Sequence, residues 1–237
     1  MDSIANSRDQ SVTQITDHLA QVRRRVETAA SVAGRRTEDI TIVAVSKKQA
    51  ATAIAAAHAA GQRDFGENVV QEAVSKITAI ELPGIRWHFI GRIQSNKTKA
   101  IARYFDWVHT VDRFKTAQKL DAQRPHYAAP LEICIQVNLA GEPQKGGVAT
   151  DEVLALAAAL KELPRLRLRG LMTVPPLDAD LTTTGAAFRQ LRELKSSLVA
   201  AGYPLDTLSM GMSGDLEAAI QNGSTMVRIG TAIFGPR

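Results

Sequence analysis

The chain has 237 residues, 45% of them hydrophobic, which suits one large α/β core or two small ones. A single cysteine, Cys134, excludes a disulfide framework and a thiolate metal cluster, and the N-terminus carries no apolar stretch fit to be a signal sequence, so a cytoplasmic protein away from membranes is expected. The formal charge of +5 comes from 29 Lys and Arg against 24 Asp and Glu, scattered over helical patterns such as Arg23-Arg24-Arg25 before Glu27 with no interleaved aromatic residues, so no nucleic-acid partner is expected.

In chain order, apolar periodicity predicts an amphipathic helix near residues 10–33, a buried strand over residues 40–46 and a helix over about residues 50–60. Strand-like runs follow at residues 63–65, 86–90, 107–111, 131–137, 166–172, 205–210 and 225–229. Helical patterns alternate with them. Val70, Ala73, Val74 and Ile77 share one face, and others run over residues 151–163, 184–200 and 214–221. Pro175-Pro176 and Thr182-Thr183-Thr184 read together as one loop before a helix. Cys134, inside its strand, reads as a small buried hydrophobe. About eight strands alternating with helices predict a closed (β/α)8 TIM barrel, with a doubly wound open sheet as the alternative. No linker interrupts the pattern, so residues 1–237 are expected to form a single domain with the helix at about 10–33 added at its N-terminus.

A barrel directs every strand's carboxyl end to one mouth, so residues following different strands converge there. Lys47 follows the first strand, Asn68 the second, Gly91-Arg92 the third, Asn138 the fifth, Met172-Thr173 the sixth, Ser213 the seventh, and Gly230-Thr231 the eighth. A lysine leaving a buried strand is either a stem snorkelling to solvent or an amine whose lost hydration lowers its pKa and makes it a nucleophile toward carbonyls such as pyridoxal phosphate (PLP). Strand parity puts Lys47 with Thr41, Val43 and Val45 on one face and Lys48 with Ile42, Ala44 and Ser46 on the other, which favours Lys47 as the inward residue.

Ser213 is placed to cap a helix beginning Gly214-Asp-Leu, with Gly211, Gly214 and Gly230 allowing close backbone approach to a phosphate and Ser213 and Thr231 adding hydroxyls; ordinary capping and turns are the alternative. Arg228, inside the last strand, needs an acceptor: a ligand atom such as a pyridine nitrogen, or an internal carboxylate such as Glu67. His88 and His109 read as satisfied core or rim histidines, and no spacing suggests a metal.

Ala44-Val-Ser-Lys47, Phe65-Gly-Glu-Asn68 with Val70-Gln-Glu72, Trp87-His-Phe-Ile-Gly91 with Gln94-Ser-Asn-Lys97, Gln136-Val-Asn138, Gly170-Leu-Met172, Leu208-Ser-Met-Gly-Met-Ser213 and the run from Arg228 to Gly235 stand in order along the chain. In these motifs the sequence resembles the pyridoxal phosphate homeostasis proteins, whose fold-type III barrel is similar to the N-terminal domain of alanine racemase. The resemblance implies a PLP cofactor held as a Schiff base on Lys47, with Asn68 near the ring, Arg228 at the pyridine nitrogen, and Ser213, Gly230 and Thr231 around the phosphate. One departure is Ser46-Lys-Lys-Gln-Ala50, where the family often has Ser-Lys-Thr-Lys-Pro.

A racemase of this fold class takes its second base from another domain of the partner subunit, and no residues remain here for such a domain. With an arginine leaving the ring a weak electron sink, the expectation is a PLP carrier or buffer in vitamin B6 and amino-acid homeostasis, without catalytic residues. It is expected to be a monomer that delivers PLP transiently to apo-enzymes. The alternatives are a PLP-dependent racemase or related carbon-acid enzyme, and a cofactor-free Schiff-base aldolase using Lys47.

Overall fold

The computed structural model describes the backbone of residues 2–142, 146–176 and 179–236, and side chains from residue 13 onward within those segments. Helix α1 (Asp2–Val32) precedes eight strands alternating with helices: β1 (Thr41–Val45), α2 (Ala51–Ala59), β2 (Asp64–Glu67), α3 (Val70–Ala79), β3 (Arg86–Phe89), α4 (Thr98–Tyr104), β4 (Trp107–Val111) and α5 (Phe114–Gln123). β5 (Leu131–Gln136), α6 (Val153–Leu160), β6 (Leu166–Met172), α7 (Leu181–Ala200), β7 (Thr207–Ser209), α8 (Leu216–Gln221), β8 (Met226–Ile229) and α9 (Thr231–Phe234) complete the order. Each strand pairs in parallel with the next. The barrel closes through β1 and β8, from Thr41 opposite Met226 to Ala44 opposite Ile229, which rules out the open-sheet alternative.

α9 is too short, at four residues, to cover the seam between β8 and β1. α1 covers it instead, packing on α2, α8 and α9 through Ile15, Leu19, Val22, Val26 and Ala29, which recur every three or four residues on one face. Arg25 fastens this helix to α8 through both oxygens of Glu217 at 2.7 and 2.9 Å.

Two predicted boundaries need correction. α1 begins before residue 10. Thr182 to Thr184 lie inside α7 rather than in a loop, because Asp180 caps that helix, its Oδ1 accepting from the Thr183 amide at 2.6 Å.

The large apolar core lies between the strands and the helices, while the barrel interior holds a smaller cluster of Val43, Trp107, Cys134, Met172 and Met226. Cys134 is fully buried, which pushes its thiol up to about 12, so it serves as the small hydrophobe its strand suggests. A Cβ on Gly170 would stand 1.8 Å from the Thr207 carbonyl oxygen, so only glycine lets β6 and β7 meet there. The barrel floor is closed by ion pairs, Arg86 with Asp64 at 2.6 Å and Arg169 with Glu132 at 3.1 Å, while the Arg169 guanidinium lies 5.0 Å over Trp107.

Candidate functional site

The inward-facing residues follow strand parity. Val43 lies in the interior cluster, which puts Lys47, four residues on, on the same inner face beyond the strand end. Val45 pairs with Gly66, so Lys47 and Asn68 each stand two residues past that pair and flank one another at the mouth. Both are half-buried. Lys48 is different: it is exposed, and its φ of 62° turns the chain through the left-handed region. Gly91 presses on the back of Asn68, since a Cβ there would lie 2.1 Å from the Asn68 carbonyl oxygen. Asn138 is spent on its own loop, exchanging hydrogen bonds with the Glu142 backbone at 2.9 and 3.3 Å.

Arg228 points inward, as its place opposite Val43 requires. Its partners are not the carboxylate that sequence suggested. Nη1 donates to Ser209 Oγ at 2.7 Å and Nη2 to the Thr173 carbonyl at 2.9 Å, whereas Glu67 faces the helix layer, bonded to Ser46 and Lys76. The difference is one of parity: Asp64 and Gly66 are the inward residues of β2, so Glu67 turns outward. Burial lowers the Arg228 guanidinium to about 10, which leaves it charged at neutral pH.

Behind Arg228 runs a buried chain of hydrogen bonds across the barrel. His109 Nδ1 lies 2.7 Å from Ser209 Oγ, His109 Nε2 lies 2.9 Å from His88 Nδ1, and His88 Nε2 lies 3.0 Å from Asp64 Oδ1. Donor bookkeeping sets its direction. Arginine only donates, so Ser209 accepts from Arg228 and gives its own proton to His109 Nδ1; a neutral His109 then donates from Nε2 to His88, and His88 donates to Asp64. Burial opposes ionisation of Asp64, yet the hydrogen bonds from His88 and Arg86 hold its carboxyl below the usual range. The histidines are thus satisfied core residues, linked in a way that sequence spacing did not reveal.

This arrangement predicts a pH dependence of stability. Burial, then the neighbouring His88 and Arg228, hold His109 well below its ordinary value of 6.5, so below that pH the unfolded chain binds a proton that the folded chain refuses. By linkage, stability should fall as pH drops beneath 6.5, with a slope of up to about 1.4 kcal/mol per pH unit. Urea midpoints from pH 7.5 downward measure it, and His109→Gln should flatten the slope.

The loops after β7 and β8 meet as expected, with one correction. Ser213 does not cap α8, which begins at Leu216 behind Asp215; its hydroxyl oxygen instead faces the first turn of α9, 3.4 Å from the Ala232 amide. The Ile233 and Phe234 amides both bond to the Gly230 carbonyl, so the amides of Thr231 and Ala232, ahead of them, face out of that turn beside Ser213. Arg25 holds the loop by donating to the Ser213 carbonyl at 3.0 Å. Gly211 owes its identity to packing: at φ 98° its Cβ would stand 2.6 Å from Ala219 Cβ, whereas a Cβ on Gly214 would meet open space.

The structure therefore gathers Lys47, Asn68, Arg228, Ser213, Gly230 and Thr231 at the carboxyl ends of β1, β2, β7 and β8. The donor set suits PLP: an amine for its aldehyde, a fixed cation for its ring nitrogen, and hydroxyl and amide donors for its phosphate. Among the described residues no cluster could hold a metal ion, and no helix is long and apolar enough to cross a membrane.

Comparison with known proteins agrees with this geometry. The family model for the alanine racemase N-terminal domain matches residues 18–237. The pyridoxal phosphate homeostasis protein of Pseudomonas aeruginosa is 52% identical over 226 residues, covering 95% of this chain and 97% of the relative, and that of Escherichia coli K12 is 49% identical over 229 residues, covering 95% and 98%. PipY of Synechococcus elongatus, solved with PLP bound, is 37% identical with a TM-score of 0.83, over 94% of this chain and all of the other. Alanine racemase of Corynebacterium glutamicum shares the fold alone, at 19% identity and a TM-score of 0.68, and this chain spans 62% of its length. By sequence and by architecture, the chain belongs to the alanine racemase N-terminal domain family and, within it, to the pyridoxal phosphate homeostasis proteins.

Proposed function

We propose that this chain binds PLP reversibly through Lys47 and carries or buffers it for vitamin B6 and amino-acid homeostasis, rather than catalysing a reaction of its own. When bound, PLP supplies an aldehyde that condenses with amines and a ring that withdraws electrons from the product. The chain's residues set what becomes of that chemistry. Lys47 offers the amine, Asn68 flanks the ring, and Ser213 with the Gly230 to Ala232 turn receives the phosphate. The observation that carries the reading is the inward Arg228, bonded among the described residues to Ser209 and the Thr173 carbonyl rather than to a carboxylate: placed beside the ring nitrogen, such a donor would keep protons off that atom and weaken the ring as an electron sink.

The relatives' names and the PLP in PipY support the cofactor. We read residues 1–237 as one PLP-binding domain with α1 as a structural part of it, working in the cytoplasm as a monomer, with apo-enzymes as transient recipients. The test is to load the purified protein with PLP and follow two quantities: transfer of PLP to an apo-enzyme, and deuterium exchange at the α-carbon of a panel of amino acids. A carrier gives transfer with negligible exchange. Exchange at useful turnover would overturn the reading in favour of a racemase-type enzyme.

A further inference from the structure

The backbone on both sides of Lys47 is gripped from behind by three charged side chains that lie outside the barrel. Lys76 Nζ donates to the Ser46 carbonyl at 2.7 Å, to Glu67 Oε1 at 2.7 Å and to Glu72 Oε1 at 2.6 Å. Ser46 Oγ donates to the same Glu67 oxygen at 2.6 Å, and the Lys48 amide donates to Glu72 Oε1. The carbonyl before Lys47 and the amide after it thus end on one connected cluster, with Glu67 fully buried and Lys76 nearly so. Burial pushes the Glu67 carboxyl up against its bonds to Lys76 and Ser46, while the Lys76 side chain and the Lys48 amide hold Glu72 down against its own desolvation.

A buried ion pair is weak evidence for stability, because desolvation offsets much of its attraction. Its retention here has a geometric result. The bond from the Lys48 amide to Glu72 holds Lys48 at a φ of 62°, a region that a non-glycine residue holds only when its surroundings fix it. With Lys48 so turned, its side chain lies exposed while Lys47 stays on the inner face.

We propose that Glu67, Glu72 and Lys76 are positioning residues that select Lys47 over the adjacent Lys48 as the amine that meets the cofactor aldehyde. The inference rests on the PLP reading above. Condensation forms a C=N bond and releases water without change of oxidation state, so the cluster need supply no proton or electron; it fixes the approach of Nζ. Misplacing a reacting atom by about 1 Å costs on the order of a hundredfold in rate.

The experiment is borohydride trapping after a short exposure to PLP, followed by peptide mass mapping, on wild type, Glu72→Ala, Glu72→Gln and the charge-balanced pair Lys76→Met with Glu67→Gln. Wild type should carry the phosphopyridoxyl group on Lys47. Glu72→Ala should be trapped about tenfold more slowly, with label appearing on Lys48, whereas Glu72→Gln, which keeps an acceptor oxygen for the Lys48 amide, should recover most of the rate and the site. The double variant, with no buried charge left alone, releases the Ser46 carbonyl but keeps Glu72 on the Lys48 amide, so it should be trapped more slowly with the label still on Lys47. Label on Lys47 at the wild-type rate in Glu72→Ala and in the double variant would overturn the inference and leave the PLP reading standing. Wild-type label on another residue would instead overturn the PLP reading itself.

Discussion

Lys47→Ala protein mixed with PLP should stay colourless, take no borohydride label and release the cofactor on dialysis, while Lys48→Ala should remain yellow and labelled at residue 47. The expected loss of affinity is at least about a hundredfold, or about 2.7 kcal/mol, because only the contacts to ring and phosphate remain. The contrast between the two variants follows from placement. Lys47 sits on the face of Val43 and beside Asn68, whereas Lys48 is exposed and bent out through a positive φ. Lys48 is exposed and Lys47 only half-buried, so melting temperatures should stay close to wild type, and a loss of colour can then be read as lost chemistry. Absorbance of the reconstituted protein checks the outcome. A yellow Lys47→Ala protein with label elsewhere would remove the central amine from the account.

Much of this fold was legible because its signals are local. Strands β1, β5 and β8 are covered on both faces and read as apolar runs, and a period-two pattern favoured Lys47 for the inner face, whereas the inward turn of Arg228 follows only from its pairing with Val43. The mouth was legible for the same reason: one residue after each strand end is enough to populate it. What sequence could not provide was the partner of each polar side chain. Arg228 bonds Ser209 and Thr173, which are 19 and 55 residues away, and His109 meets Ser209 across 100 residues. Such pairings depend on register around a closed barrel. Glu67 was misjudged as a possible partner of Arg228 because parity within a strand of four residues depends on where that strand starts, and β2 runs from Asp64 to Glu67 rather than over residues 63–65. The cap of α8 failed for a related reason: the helix starts only at Leu216, and the carboxylate of Asp215 just before it accepts from the Met212 amide instead of capping the helix.

Arg228→Glu should convert a quiet site into one that labilises the α-proton of a bound amino acid, with deuterium exchange rising about tenfold or more above wild type. On the proposed PLP reading, Arg228, charged at neutral pH and able only to donate, would give the ring nitrogen a hydrogen bond and no place for a proton. A carboxylate reverses that demand: the nitrogen takes a proton to pair with it, and a protonated ring is the stronger electron sink. The substitution also runs against the polar chain behind it. Ser209 would lose the donor that turns its own proton toward His109, and the Thr173 carbonyl would lose the guanidinium it accepts from. The loss of these two buried hydrogen bonds should cost roughly 2 to 5 kcal/mol of stability, measurable as a lowered urea midpoint. Raising exchange therefore requires unbuilding a chain of contacts that extends to the barrel floor. If Arg228→Glu folds, takes up PLP on Lys47 and exchanges no faster than wild type, Arg228 is not the partner of the ring nitrogen, and the quietness of the site has another origin.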